Sequence, residues 1–184
     1  MTTDVRRAVF LDRDGVLNRV VMRGDVIGSP RTADEFVLIP EAAALCAALK
    51  ADGWLLVVVT NQPDVSRGLL DPAVLDDMHA RLRAALPVDA IEVCGSGDDA
   101  DPRRKPNPGM LRDAAARMDF RLDASWILGD SIKDMRAGRA AGVRTLLLAT
   151  EYNHAARDVA DHVADSHARA ADIIRTHTSH RISR

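Results

Sequence analysis

Two aspartates two residues apart, Asp12 and Asp14, close the apolar run Ala8-Val9-Phe10-Leu11 and are followed at once by Gly15. A third, Asp130, closes a second apolar run behind Gly129, and Asp134 follows four positions later. Between them lie Thr60, at the end of Leu55-Leu56-Val57-Val58-Val59, and Lys105 in Arg103-Arg104-Lys105-Pro106. Carboxylate oxygens are the hard ligands that Mg²⁺ prefers. A phosphoryl group in transfer needs a nucleophile, hydroxyl and amide donors, and a cation to take up charge. Each is present, so these residue types point to phosphoryl transfer. Residues i and i+2 leaving a strand share a side, so Asp12 and Asp14 can face one phosphate. Two such carboxylates repel each other unless a cation joins them, so the pattern calls for a metal.

The lysine stands out against its background. Only Lys50, Lys105 and Lys133 among the 25 basic residues are lysines, so arginine serves nearly everywhere a cation is wanted. A compact ammonium acts on phosphate as a point charge, which the planar guanidinium fork does not duplicate.

Elements that could position these groups alternate along the chain. Strands are expected at Ala8–Leu11, Leu55–Thr60, Ala90–Cys94, Trp126–Leu128 and Arg144–Leu148, with a weak sixth at His162–Ala164. Helices are expected from Pro40, from Pro72, from Gly109, from Ile132 to Gly142, and over Ala168–Arg175; proline at a first helical turn is tolerated. This alternation is the pattern of an α/β fold, a Rossmann-like three-layer sandwich with a central parallel sheet. In such sheets ligands bind beyond the carboxyl ends of the strands, where Asp12, Asp14, Thr60 and Asp130 all fall. Residues 16–39 read as an irregular flap over the site, and residues 176–184 as a frayed polar tail after a single domain over residues 1–175.

Composition sets the outer limits. The 184 residues suffice for one domain, and 47% hydrophobic with 28% charged residues is ordinary for a soluble protein. A net charge of -2 offers no footprint for nucleic acid, and no apolar run approaches a membrane span. A small phosphorylated metabolite is the expected partner, with the chain a monomer or weak oligomer in the cytoplasm. Cys46 and Cys94 suggest no disulfide framework. Trp54 and Trp126 read as core residues, and the histidines after the last motif, at 154, 162, 167, 177 and 180, as a solvated tail.

Asp12-x-Asp14-Gly15, Thr60, Lys105 and Gly129-Asp130-x-x-x-Asp134 resemble, in order, the four motifs of the haloacid dehalogenase (HAD) superfamily of phosphatases. The resemblance spans roughly residues 8–148. It implies Asp12 as nucleophile, Asp14 as general acid and then base, Thr60 as a donor to the phosphoryl group and Lys105 as its charge partner. It also implies Mg²⁺ held by Asp12, the Asp14 carbonyl and Asp130, with Asp134 in support. Asp12 through Asn18, Thr60-Asn61-Gln62-Pro63 with Arg67-Gly68, and Arg104 through Leu111 are similar to the branch of heptose-bisphosphate and histidinol-phosphate phosphatases. That similarity implies substrate contacts from Asn61, Gln62, Arg67 and Arg104, to which Arg13 and Ser131 are added.

Two intervals bear on the site's cover. Gly15 to Pro40 is 25 positions, and Thr60 to Lys105 is 45, of which a helix and a strand take most. Neither holds a folded lid, so no cap domain is expected. The stretch from Cys94 to Arg104 departs from the branch, which often carries a zinc loop there. With one cysteine and no histidine nearby, four N/S ligands cannot be assembled, and zinc is not expected. The branch often has lysine after the fourth-motif aspartate, where this chain has Ser131, with Lys133 two residues on. The sequence therefore reads as a Mg²⁺-dependent phosphomonoesterase for a small sugar phosphate of the heptose 1,7-bisphosphate type. A histidinol-phosphate phosphatase and a non-catalytic scaffold are the rivals.

Overall fold

Six apolar runs pair into one parallel sheet in the computed structural model, which describes residues 5–179. The strands are β1 (Ala8–Leu11), β4 (Leu55–Asn61), β5 (Ala90–Cys94), β6 (Trp126–Gly129), β7 (Arg144–Leu148) and β8 (His162–Ala164), in the order β5-β4-β1-β6-β7-β8. The chain leaves central β1 for the β4 side and returns to its other flank at β6. Strand order therefore reverses beside β1, the position where open α/β sheets form a ligand crevice. Leu11 is in register with Val58 and with Leu128, so β1, β4 and β6 end nearly level. Asp12, Thr60 and Asp130 consequently emerge at one edge.

Both faces of the sheet are covered, as the continuous apolar runs require. Val9, Leu11, Leu56, Val58, Trp126 and Leu128 point to one side, into a core shared with α1 (Pro40–Ala51), α2 (Pro72–Ala85) and α5 (His167–Ser179). Ala8, Phe10, Val57, Val59 and Ile127 point to the other, against α3 (Gly109–Met118) and α4 (Ile132–Ala141). Local signals set the helix starts. Pro40 and Pro72 open α1 and α2, and Asp71 caps α2 by accepting from the Ala73 amide at 2.8 Å. Ser131 and Asp134 form a reciprocal capping box on α4. None of the described helices is long and apolar enough to cross a membrane.

Two expectations are corrected. Residues 16–39 are not simply irregular: β2 (Val21–Arg23) and β3 (Val26–Gly28) pair as an antiparallel hairpin. Its base is fastened where the Ile39 and Arg19 amides donate to the Leu17 and Val37 carbonyls, at 2.9 Å each. The sequence lacked strict alternation there, but backbone pairing is stable over three residues when the base is held. Residues 176–179 do not fray but complete α5. Ala170, Ala171, Ile173 and Ile174 bury the inner face of that helix, and Arg144 Nη1 donates to the His177 carbonyl at 2.8 Å. Of the C-terminal histidines His154 is exposed, as expected, but the set is not uniformly solvated. His162 and His177 pack on Trp126, and the buried His167 ring meets the Val16 carbonyl at 2.8 Å. His180 lies outside the described residues. Among those residues, the interval between the end of β1 and α1 adds only the hairpin, and that between β4 and α3 only α2 and β5.

Gly138 shows how tightly α4 lies on the sheet. A Cβ there would stand 2.5 Å from Ile127 Cγ2 and 2.8 Å from Thr145 Cγ2. Gly138→Ala gains about 0.5–1 kcal/mol in helix propensity but incurs roughly 1–3 kcal/mol of overpacking. Packing wins, so the variant should melt a few degrees below the wild type, at roughly 2–4 °C per kcal/mol for a domain of this size. A melting temperature at or above wild type would contradict this packing.

Candidate active site

Lys105 stands at the centre of the sheet edge. Its Nζ donates to Asp12 Oδ1 at 2.8 Å, Asp134 Oδ1 at 2.6 Å and the Val59 carbonyl at 2.8 Å, which uses all three ammonium protons. The side chain is almost fully buried. Burial would favour the neutral amine, but Asp12 and Asp134 outweigh it and raise the Lys105 pKa, so the group is a permanent cation. Its backbone is clamped as well: the Asn61 carboxamide donates to the Lys105 carbonyl at 2.9 Å and accepts from the Lys105 amide at 3.0 Å. The end of β4 thus holds the loop that carries the lysine.

Asp12, Asp130 and Asp134 bring one carboxylate oxygen each to within 4.8 Å of one another. Burial, then repulsion from Asp134, raises the pKa of Asp12, against the pull of Lys105. Asp130 is raised for the same two leading reasons, opposed by a hydrogen bond from Tyr152. Four carboxylates, counting Asp14, face two buried cations, Lys105 and Arg13, which leaves two negative charges uncompensated. A hard divalent cation fits that donor set and that charge. Asp134 serves twice, since its Oδ2 also accepts from Ser131 Oγ at 2.5 Å as the cap of α4.

Asp14 lives in different surroundings. Arg13 Nη2 reaches Asp14 Oδ1 at 3.0 Å and Oδ2 at 3.2 Å, Asn18 Nδ2 reaches Oδ1 at 2.8 Å, and Ser29 Oγ and Gln62 Nε2 each reach Oδ2 at 2.8 Å. Burial alone would raise its pKa, but the Arg13 charge and the three further donors hold it below the usual carboxylate range. Ser29 belongs to the hairpin, so the flap and this carboxylate are linked. Arg13, expected to meet substrate, does not line the cavity over these groups: it is fully buried between Asp14, the His79 ring at 3.2 Å and the face of Phe36 at 5.6 Å. Its position next to Asp12 in sequence directs it to the opposite side of the chain.

A cavity of about 550 Å³ opens over these groups. Asp12, Asp14, Asp130 and Lys105 reach it, as do Asn61, Gln62, Arg67, Arg104 and Ser131. Thr60 is buried behind Gln62, whose Nε2 donates to the Thr60 hydroxyl at 2.8 Å. Several expected substrate contacts are already engaged. Asn61 holds Lys105, Ser131 caps α4, and Arg104 donates from Nε to Asp99 at 2.9 Å and from Nη1 to the Ser96 carbonyl at 2.9 Å. Arg67 and Arg31 share Asp64, at 3.2 and 2.7 Å. Arg23, Arg31, Ser29 and Tyr152 also line the cavity and were missed. The flap residues carry no motif, and only the rarity of tyrosine, one in the chain, could have flagged Tyr152.

A family model described as "HAD-hyrolase-like" matches residues 102–174. A D-glycero-beta-D-manno-heptose-1,7-bisphosphate 7-phosphatase of Pseudomonas aeruginosa is 40% identical over 151 residues, covering 79% of this chain and 82% of that one. The chain belongs to the HAD-like phosphatase family. Other members include a D-glycero-alpha-D-manno-heptose-1,7-bisphosphate 7-phosphatase of Burkholderia mallei, 38% identical over 155 residues, covering 77% of this chain and 79% of that one. The crystal structure of D,D-heptose 1,7-bisphosphate phosphatase from B. bronchiseptica, complexed with magnesium and phosphate, superposes with a TM-score of 0.78 at 31% identity, covering 94% of this chain and 99% of that one. In this HAD-like phosphatase the loop before Lys105 is held by protein hydrogen bonds. Besides the Arg104 contacts, Asn107 Nδ2 donates to the Asp99 and Asp101 carbonyls at 3.0 and 2.8 Å. Burial pushes the Cys94 thiol up.

Asn61→Ala removes the clamp on Lys105 without touching a charge. Phosphatase kcat should fall roughly 10–100-fold, the scale seen when supports of a site are lost, with substrate KM little changed; a rise in KM alone would mark Asn61 as a substrate contact. His79 yields a pH dependence. Burial, then the Arg13 charge, lowers its pKa from 6.5 to about 4. Between these values the unfolded chain takes up a proton that the folded one refuses, so stability falls as pH falls through the window. In urea titrations across it, His79→Gln should remove up to about 3 kcal/mol of the wild type's acid-side loss. Parallel losses in both proteins would contradict a neutral His79.

Proposed function

We propose that this chain is a Mg²⁺-dependent phosphomonoesterase that removes the 7-phosphate of a heptose 1,7-bisphosphate through an aspartyl-phosphate. The observation that carries the chemistry is the buried Lys105 ammonium bridging Asp12 and Asp134 beside Asp130. The substrate class rests on the relatives, which carry that name at 31–40% identity. Asp12, Asp130 and the Asp14 carbonyl would hold Mg²⁺, with Asp134 in support. The ion supplies charge neutralisation for the phosphoryl oxygens when bound.

The residues divide the work. An Asp12 carboxylate oxygen attacks phosphorus and the bond to the sugar oxygen breaks, while the Asp14 carboxyl gives that oxygen its proton. Asp14 then takes a proton from water, whose oxygen attacks the phosphorus of the acyl phosphate and frees Asp12 and inorganic phosphate. The donors around Asp14 that hold it ionised suit it to this second half, from which it emerges protonated; the anionic substrate brought beside it favours that protonated form for the first half of the next turnover. Lys105 would neutralise charge gathering on Asp12 and the phosphoryl group, and the buried Thr60 hydroxyl, which accepts from Gln62 and keeps its own proton, would donate to that group where Gln62 gives way. Arg67 and Arg104 at the cavity wall, with Arg31 from the flap, form a cationic rim suited to the rest of an anionic sugar. The open cavity gives water free access, which favours hydrolysis over transfer to a second sugar. A near-neutral charge and two free, buried cysteines fit an enzyme of the reducing cytoplasm that acts on a metabolite rather than on nucleic acid.

Phosphate release from the α and β anomers of heptose 1,7-bisphosphate, and from histidinol phosphate, tests the reading. A heptose bisphosphate should be the best substrate, chelation should abolish turnover, and Asp12→Asn should lower kcat by at least about 10³-fold. Preference for histidinol phosphate would overturn the substrate, and an active Asp12→Asn the mechanism.

A further inference from the structure

The single tyrosine of the chain, Tyr152, sits against the acidic cluster. Its hydroxyl donates to Asp130 Oδ2 at 2.7 Å, and its ring lines the cavity while 43% exposed. Asp130 Oδ1 accepts no hydrogen bond among the described residues, so one carboxylate oxygen is tied and the other is left for a cation. The segment bearing Tyr152 is joined to the same aspartate by a second route. The buried Asn153 side chain donates to the Asp130 carbonyl at 3.0 Å and to the Leu148 carbonyl at 2.8 Å, and accepts from the Thr150 amide at 2.9 Å. Tyr152 therefore cannot drift from Asp130 without breaking the turn after β7. From the opposite side Gly15, at φ +82°, lets the chain approach: a Cβ there would lie 2.0 Å from Asp130 Oδ2 and 2.9 Å from the Tyr152 hydroxyl. The contact is thus braced from β1, β6 and β7 together.

We infer that Tyr152 is a positioning residue of the metal site, fixing the plane of the Asp130 carboxylate so that its other oxygen faces the incoming divalent cation. This rests on the Mg²⁺ reading above. Hydrogen-bond partners that orient a metal ligand typically contribute 10–100-fold in metal affinity. A hydroxyl that donates to one oxygen removes the rotation that would otherwise be lost on binding, and it does so without adding charge. Phenylalanine keeps the ring and its packing and loses only the donor.

Because there is one tyrosine, biosynthetic labelling with meta-fluorotyrosine places a single fluorine reporter beside Asp130. Titration of the labelled protein with Mg²⁺ alone should shift that resonance, and Asp130→Asn should abolish the shift. By calorimetry Tyr152→Phe should bind Mg²⁺ about 10-fold more weakly, with an unchanged melting temperature. Its activity should recover as Mg²⁺ is raised, with substrate KM at saturating metal as in the wild type. Wild-type Mg²⁺ affinity in Tyr152→Phe overturns the inference, and so does a raised substrate KM at saturating metal, which would make the phenol a substrate contact. A wild-type protein that binds no Mg²⁺ overturns the metal reading itself, and this inference with it.

Discussion

Three hydrogen bonds from one buried ammonium join parts of the chain that share no local structure. Lys105 ties the end of β1 through Asp12, the end of β4 through the Val59 carbonyl and the start of α4 through Asp134. The site is an assembly of like charges, and without that cation the sheet edge would collect three mutually repelling carboxylates in a poorly solvated crevice. The arrangement remains short of positive charge, and burial together with repulsion from Asp134 raises the proton affinities of Asp12 and Asp130. A protein that keeps such a deficit at the point where strand order reverses is prepared for a cation and for an anion brought with it.

The two aspartates of the first motif show how environment separates roles. Asp12 is crowded by other carboxylates and neutralised from one side only. Asp14, two residues on, accepts from Arg13, Asn18, Ser29 and Gln62 and is held ionised. A cation beside Asp12 would lower it to the carboxylate that the proposed nucleophile requires, whereas the donors around Asp14 already hold that group ionised. Arg13 acts on Asp14 from inside the protein, braced by His79 and Phe36. The flap joins in through Ser29, and through Arg31, whose partner Asp64 lies in the loop after β4.

Much of this was legible in the chain. The six strands could be read because buried parallel strands are nearly uniform in apolarity, and the motifs could be read because strand ends converge. The hairpin at 21–28 and the last turn of α5 were not legible: three-residue strands leave almost no periodic signal, and the polar sequence after Arg175 conceals a helix held by packing upstream. The protein contacts of Asn61, Arg13 and Arg104 were not legible for one reason. A motif identifies residues that gather around a site, but it does not say which atoms are already engaged by the protein.

By itself the sequence determined the chemistry class: the order and spacing of Asp12, Asp14, Thr60, Lys105 and Asp130 on strand ends admit few other uses, because topology brings strand ends together whatever the side chains do elsewhere. Only the tertiary structure decided which side chains face the cavity and which hold the others. Tyr152 was brought against Asp130 and Arg13 was turned inward onto His79 and Phe36 through contacts that no local pattern encodes. Hydrogen-bond partnership depends on distances of a few tenths of an ångström between segments far apart in the chain, and those distances exist only once the sheet and its helices have packed.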